Sequence, residues 1–191
     1  MKIKRLIAVG ALALAMAFSA CLVAGCSGQS DEEVIRTAIT EELDSIKNLD
    51  EETVSMLSEG MDVSQLAEFG IDGTEFMTTY LEGFDYSIDS ITVDGDTAEA
   101  VVTLTCKSYS GFEQALTDAA TNLMTNMSFE DMANMSEEEL NTLIGQTTME
   151  TLKNVEVAPC EPITIEYTKA NNTWTPSDSA SNDVAVAMMS N

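Results

Sequence analysis

The chain has 191 residues, 33 of them acidic, 8 basic and none histidine, and a formal net charge of −25. Such a balance repels phosphate backbones and anionic headgroups, so the sequence excludes nucleic-acid binding and leaves membrane contact to a dedicated apolar segment. The lack of histidine removes every Ser-His or Cys-His mechanism and the commonest metal ligand.

Lys2, Lys4 and Arg5 precede an apolar run from Leu6 through Gly25, broken only by Ser19 and Cys21. A basic start, an apolar stretch and small residues before a cysteine make an export signal. The run closes on "LVAGC", where the chain resembles the lipobox of bacterial lipoproteins. That resemblance implies that residues 1–25 are a signal peptide, that Cys26 is lipidated and becomes the mature N-terminus, and that the protein is exported. It would then be held on the cell membrane, facing the extracytoplasmic side. Read without the resemblance, roughly 20 apolar residues could also span a bilayer as an uncleaved anchor. Both readings put the rest of the chain outside the cytoplasm. Residues 26–30, Cys26 and "SGQS", form a tether whose four residues after the cysteine reach on the order of 14 Å. The 166 residues beyond the leader keep five basic and all 33 acidic residues, a net charge of −28, and make one domain with enough chain for a core.

That domain is expected over residues 31–176, as an α+β fold. Ser30 and Glu33 have capping-box spacing, and Ile35, Ala38, Ile39, Leu43 and Ile46 recur at helical period to about Asn48. Shorter helices follow, with starts at Asp50, Asp62 and Thr74 and stops at Gly60, Gly70 and Gly83. The period then changes to two. "GFDYSIDSITVDGDTAEAVVTLTCKS" reads as two strands about a type I′ turn at Asp94-Gly95, with Val93 opposite Asp96 and Ala98, Ala100, Val102, Leu104 and Cys106 on one face. Phe84, Tyr86 and Ile88 are out of phase with Ile91 and Val93, and one extra residue near Asp89-Ser90 restores them to the apolar face. The spacing therefore predicts a β-bulge there.

Helical period returns after Ser108. Phe112, Ala115, Leu116, Ala119, Leu123, Met124 and Met127 form one stripe, and Ser136 to Glu139 is a second capping box leading Leu140, Leu143, Ile144, Leu152 and Val155. Residues 108–156 are thus a helical hairpin inserted between strands two and three. "ITIEYTKANNTW" supplies two closing strands around Asn171-Asn172, giving about four strands in all, and residues 177–191 read as a tail that ends in a final helical turn or a frayed end. The "ITVDGDTA" hairpin and the "NNTW" strand resemble the nuclear transport factor two-like, or cystatin-like, cone. The resemblance implies N-terminal helices packed on a curved antiparallel sheet.

Enzymes of that cone place an acid, a tyrosine or a histidine in the pocket, and Asp85, Tyr86 and Tyr109 are the nearest residues here by strand position. Alternation sets Asp85 and Tyr109 on the face opposite Tyr86, where an acid and a base cannot meet one substrate. No catalytic residue is therefore assigned; a small acid-base enzyme using a carboxylate and a tyrosine is the alternative reading. The stretch around Gly95 fails as a calcium loop, because Ser90 and Val101 stand where acids are required. The acidic runs at Asp31–Glu33 and Glu137–Glu139 are explained by helix starts, so neither metal nor cofactor is expected. Cys106 and Cys160 are an even pair in an exported chain and suggest a disulfide whose loop closure contributes about 4 kcal/mol, although Cys160 is out of phase with Ile163 and Ile165. The two M-x-x-M pairs divide: Met124 and Met127 continue the apolar stripe, whereas Phe129, Met132 and Met135 fall in the hairpin turn as an adaptable apolar tip. The sequence is thus read as a non-enzymatic, membrane-tethered binding domain. Its protein partner or small apolar ligand would meet the concave sheet face near Tyr86, or the hairpin tip.

Overall fold

The computed structural model describes residues 29–59, 64–128 and 134–190. The leader with Cys26, and Phe129 and Met132 of the expected tip, lie outside the described residues. Helix α1 (Asp31–Lys47) opens on the expected capping box: Ser30 Oγ accepts from the Glu33 N–H and the Glu33 carboxylate accepts from the Ser30 N–H. Its buried face is Val34, Ile35, Ile39, Leu43 and Ile46. Helices α2 (Glu51–Glu59), α3 (Ser64–Ala67) and α4 (Gly73–Leu81) follow. The last starts not at Thr74 but at Gly73, with the Asp72 carboxylate accepting from the Glu75 N–H. Gly70 and Gly83 take positive φ after their helices, as the spacing predicts, while Gly60 lies outside the described residues.

Strands β1 (Asp85–Asp94) and β2 (Thr97–Lys107) form the antiparallel hairpin. Its turn is one residue later than expected. Asp94 pairs with Thr97, leaving Gly95 and Asp96 at the corner, and only Gly95 has positive φ, the pattern of a II′ turn. Val93 consequently faces Ala98, a register shift of two residues. Because side chains alternate with period two, an even shift leaves every residue on its expected face. The register breaks between Ile88 and Ser90, which is the predicted bulge at Asp89.

After β2 come helices α5 (Tyr109–Asn126) and α6 (Glu137–Lys153), then β3 (Val157–Pro159), β4 (Ile163–Ala170), β5 (Thr173–Pro176) and α7 (Ala180–Met189). The open sheet runs β1-β2-β4-β5, with β3 paired to the end of β2. Strand β3 is the addition to the four expected. It borders Thr105–Lys107 while β4 borders Thr97–Val102, so the two are halves of one strand interrupted at Cys160-Glu161-Pro162. One sheet face, with Ala98, Ala100, Val102, Leu104, Ile165, Tyr167 and Trp174, is buried with the helices in a common core. The tail expected to end in a helical turn or a frayed end is instead the ten-residue helix α7, whose Ala180, Val184, Ala185, Ala187 and Met188 are buried in that core. Its small alanines let the helix backbone approach the sheet, which makes a low-amphipathicity segment a core element.

Candidate functional site

The helical hairpin is docked at its root and bare at its end. In α5 only Phe112 and Leu116 are buried; in α6 burial begins at Ile144 and continues through Gly145, Thr148 and Leu152. The ten residues that follow Leu116, Thr117 to Asn126, correspond to about 15 Å of helix beyond the last buried position. Along this distal part Met124 is 65% exposed and Leu140 37% exposed, and Leu123, Met127, Met135 and Leu143 are half-buried. The expected stripe therefore holds as a helix pattern but not as core: Met124 faces outward, because beyond Leu116 the body of the domain no longer stands behind α5.

Two depressions follow α6. One of about 620 Å³ is lined by Asn134, Met135, Glu138, Glu139, Thr142, Leu143 and Gln146. A second, of about 440 Å³, shares Thr142 and Gln146 and is closed on its far side by Phe69, Gly70 and Ile71. Together they run from the tip side of α6 to its root. Glu139 is held below the usual carboxylate range by the Ser136 backbone N–H and hydroxyl, so it stays ionised at the rim. At the root, Lys107 is only 3% exposed; its Nζ donates to the Leu152 carbonyl at 3.1 Å and lies 3.6 Å from Glu82 Oε2. A cation on the last carbonyls of a helix is favoured by their partial negative charge, which fastens α6 to the end of β2.

Tyr86 is half-buried and its hydroxyl donates to Asp44 Oδ1 at 2.8 Å. Burial, then Asp44, pushes the phenol up. Lys47 lies 5.8 Å from the ring centroid and pairs with Asp85 Oδ1 at 2.7 Å. Asp85 is exposed where Tyr86 is half-buried, in the alternation expected along β1, and the carboxylate bonded to Tyr86 is Asp44, one the sequence reading missed. Thr40, Asp44 and Lys47 sit at helical spacing on α1, but nothing in the sequence says which strand residue that face meets. Tyr109 stands in the first turn of α5, not on a strand, and burial followed by the Glu113 charge raises it. A phenol kept protonated can donate a proton, yet neither Tyr86 nor Asp44 lines either of the two depressions above.

Cys106 and Cys160 are both buried, with Sγ atoms 3.3 Å apart. The sequence objection to their meeting has a structural answer. Pairings on β4 keep one register with β2, whereas those on β3 differ by one residue, and the Cys160 N–H donates to the Leu104 carbonyl in the β3 register. The extra residue at Glu161-Pro162 turns Cys160 back to the core face beside Cys106. At the opposite end of the sheet Asp31 Oδ1 accepts from Lys169 Nζ at 2.6 Å and Trp174 Nε1 at 2.9 Å.

Among the described residues no group of three or more His, Cys, Asp or Glu side chains is arranged to hold a metal ion. No helix among them is long and apolar enough to cross a membrane. No family model and no curated protein matches the chain. Among solved structures it is similar to that of ycdA, a candidate lipoprotein from Bacillus subtilis, at 14% identity and a TM-score of 0.42 over 75% of this chain. The chain spans about half the length of that protein, 47%.

Proposed function

We propose that the protein is a lipid-anchored extracytoplasmic binding module, tethered through Cys26, that offers the α5–α6 arm to a polypeptide partner carrying basic and apolar residues. The observation behind this reading is the bare distal arm, where Met124 of α5 and Leu140 of α6 are exposed and Met135 and Leu143 line a depression along α6. Charge supplies the partner's sign, because residues 108–152 contain eight acidic residues and no basic one. Helix-in-groove recognition combines such an apolar seam with a charged rim.

The geometry of attachment fits. Asp31, next to the tether, is bound to Lys169, and the Lys169 N–H donates to the Asp96 carbonyl, so α1 begins at the turn end of β2. The arm begins at the other end, about 33 Å away along an eleven-residue strand. Within this reading the sheet is a filled variant of the nuclear transport factor two-like cone. Helices α1, α4 and α7 pack against its buried face, and binding falls to the arm.

Two measurements test this. Metabolic labelling with palmitate is expected to mark the wild type and not Cys26→Ser. Titration of the full chain with a synthetic Lys/Leu amphipathic helix is expected to give tighter binding than with a Lys/Ser peptide of equal charge. That preference should disappear in Met124→Glu/Leu140→Glu. Equal affinity for both peptides, or an unchanged preference in the double variant, would remove the arm from the reading, and an apolar small molecule in native mass spectra of protein from its own membranes would replace the partner class.

A further inference from the structure

We propose that Cys106 and Cys160 are joined in a structural disulfide that closes the root of the arm and is sealed by the C-terminal helix. The inference rests on the extracytoplasmic reading in one respect: the oxidant is a disulfide-bearing exchange partner of an oxidising compartment. The geometry itself is independent of location.

The two thiols stand where the arm leaves and re-enters the sheet. Cys106 is the penultimate residue of β2, and Cys160 follows β3, the first strand after α6. They face each other only because the strand break at Glu161-Pro162 carries one extra residue, a local irregularity whose effect is to aim Cys160 inward. From 3.3 Å, the sulfurs need to move little more than about 1 Å to reach a bonding distance near 2.05 Å. The bond would enclose the whole α5–α6 arm in a covalent loop, beside the Lys107 contact that already fixes α6 to β2.

The chemistry is thiol–disulfide exchange. One cysteine thiolate attacks a sulfur of the partner's disulfide and releases one partner thiolate. The second cysteine, on losing its proton, attacks the mixed disulfide and releases the other. Two cysteine thiols are oxidised, one disulfide is reduced to two thiols, and the two protons end on the departing sulfurs.

Burial decides when this happens and what the bond is for. Cys106 Sγ lies 3.8 Å from the Met188 carbonyl of α7, which also accepts from the Tyr80 hydroxyl at 3.1 Å, and Met188 is fully buried. Burial also pushes the Cys160 thiol up, so in the folded chain it is a poor nucleophile. Both cysteines precede α7 in the chain. The bond therefore forms before Ala180–Met189 docks, and α7 then shields it from reductant, as suits a permanent clasp and not a switch. Oxidation removes the Cys106 S–H from the Met188 carbonyl, which keeps the Tyr80 hydroxyl.

The test uses full-length protein extracted from membranes, denatured without reductant and alkylated with N-ethylmaleimide. Peptide mapping is expected to return a Cys106–Cys160 cross-linked pair, unalkylated until dithiothreitol is added. In the native protein dithiothreitol should leave the bond intact until guanidinium opens the fold. The Cys106→Ser/Cys160→Ser variant and the reduced wild type should melt together, about 10 °C below the oxidised form. Alkylation of both cysteines without reductant overturns the proposal. If the reduced chain then links on refolding with oxidised glutathione, the geometry is sound and it is the extracytoplasmic reading that has failed; if it does not link, the geometry has failed. Rapid reduction of the native protein overturns the structural role.

Discussion

Gly145, in the middle of α6, lies against the carbonyl oxygen of Phe69, and a Cβ built on it would overlap that oxygen. Glycine inside a helix normally costs about 1 kcal/mol relative to alanine, so Gly145→Ala ought to stabilise. Here the backbone contact prevails. We expect Gly145→Ala to lose about 1–3 kcal/mol in denaturant unfolding, because the α3–α4 turn must move away from α6. An unchanged or raised midpoint would show that the two segments are not in contact.

The same helices should tolerate drastic changes farther out. Leu116 is buried and Met124 is exposed, two turns later on α5. Leu116→Ala should cost about 2–5 kcal/mol, whereas Met124→Glu and Met135→Leu should each stay within about 0.5 kcal/mol of wild type. A large loss at Met124 would place the distal arm in the core.

The Asp89 bulge has its own side-chain support. The Asp89 carboxylate accepts from the Thr103 hydroxyl at 2.5 Å and from the Ser87 hydroxyl at 2.8 Å, which lowers its carboxyl. Deleting Asp89 would close the bulge into a regular ladder that keeps Ile88 opposite Val102 and Tyr86 opposite Leu104, in phase with Ile91 on the inner face. Cooperative unfolding, followed by circular dichroism, should therefore survive the deletion with a midpoint lowered by the lost Thr103 and Ser87 hydrogen bonds; a variant that fails to fold would show that the bulge, and not the inner-face phase, holds the register.

Acid should unfasten α1 from the sheet. The Lys169 hydrogen bond, and after it that of Trp174, holds the Asp31 carboxyl below its ordinary value of 3.8. A depressed carboxylate stabilises the fold above its unfolded-state value, and that contribution fades as pH falls through the lowered folded-state value. Asp31→Asn should therefore melt below wild type at pH 7 and converge with it once pH falls well below 3.8. Salt should shrink the neutral-pH difference, since the pair is partly exposed. A gap that persists in strong acid would assign the effect to packing.

Much of this architecture is legible in the sequence because it is written in period and punctuation. Ser30 and Ser136 announce their helices three residues before the glutamates that answer them, and the phase slip between Ile88 and Ile91 announces the bulge. The hairpin corner was harder: Asp94-Gly95-Asp96 contains both a possible I′ and a possible II′ turn, and the two differ by an even register shift that the apolar pattern cannot sense. Helix α7 was obscured because "ASNDVAVAMM" buries small residues, which give little contrast between faces. The site was less legible than the fold. Asp44 beside Tyr86, and Glu161-Pro162 turning Cys160 inward, are tertiary coincidences between distant segments. The exposure of Met124 depends on where the body of the domain ends, which a helical stripe does not record.

The contact of Asp31 with Lys169 and Trp174 also determines how the fold bears a load. Asp31 is the first residue of α1, while Lys169 and Trp174 lie on β4 and on the edge strand β5. A helix pulled by its first turn unravels easily. Tension arriving through the residues ahead of Ser30 must instead break a charged and an indole hydrogen bond to the same carboxylate oxygen before that turn can open, so the pull passes directly into two strands and the helix is spared as the weakest link.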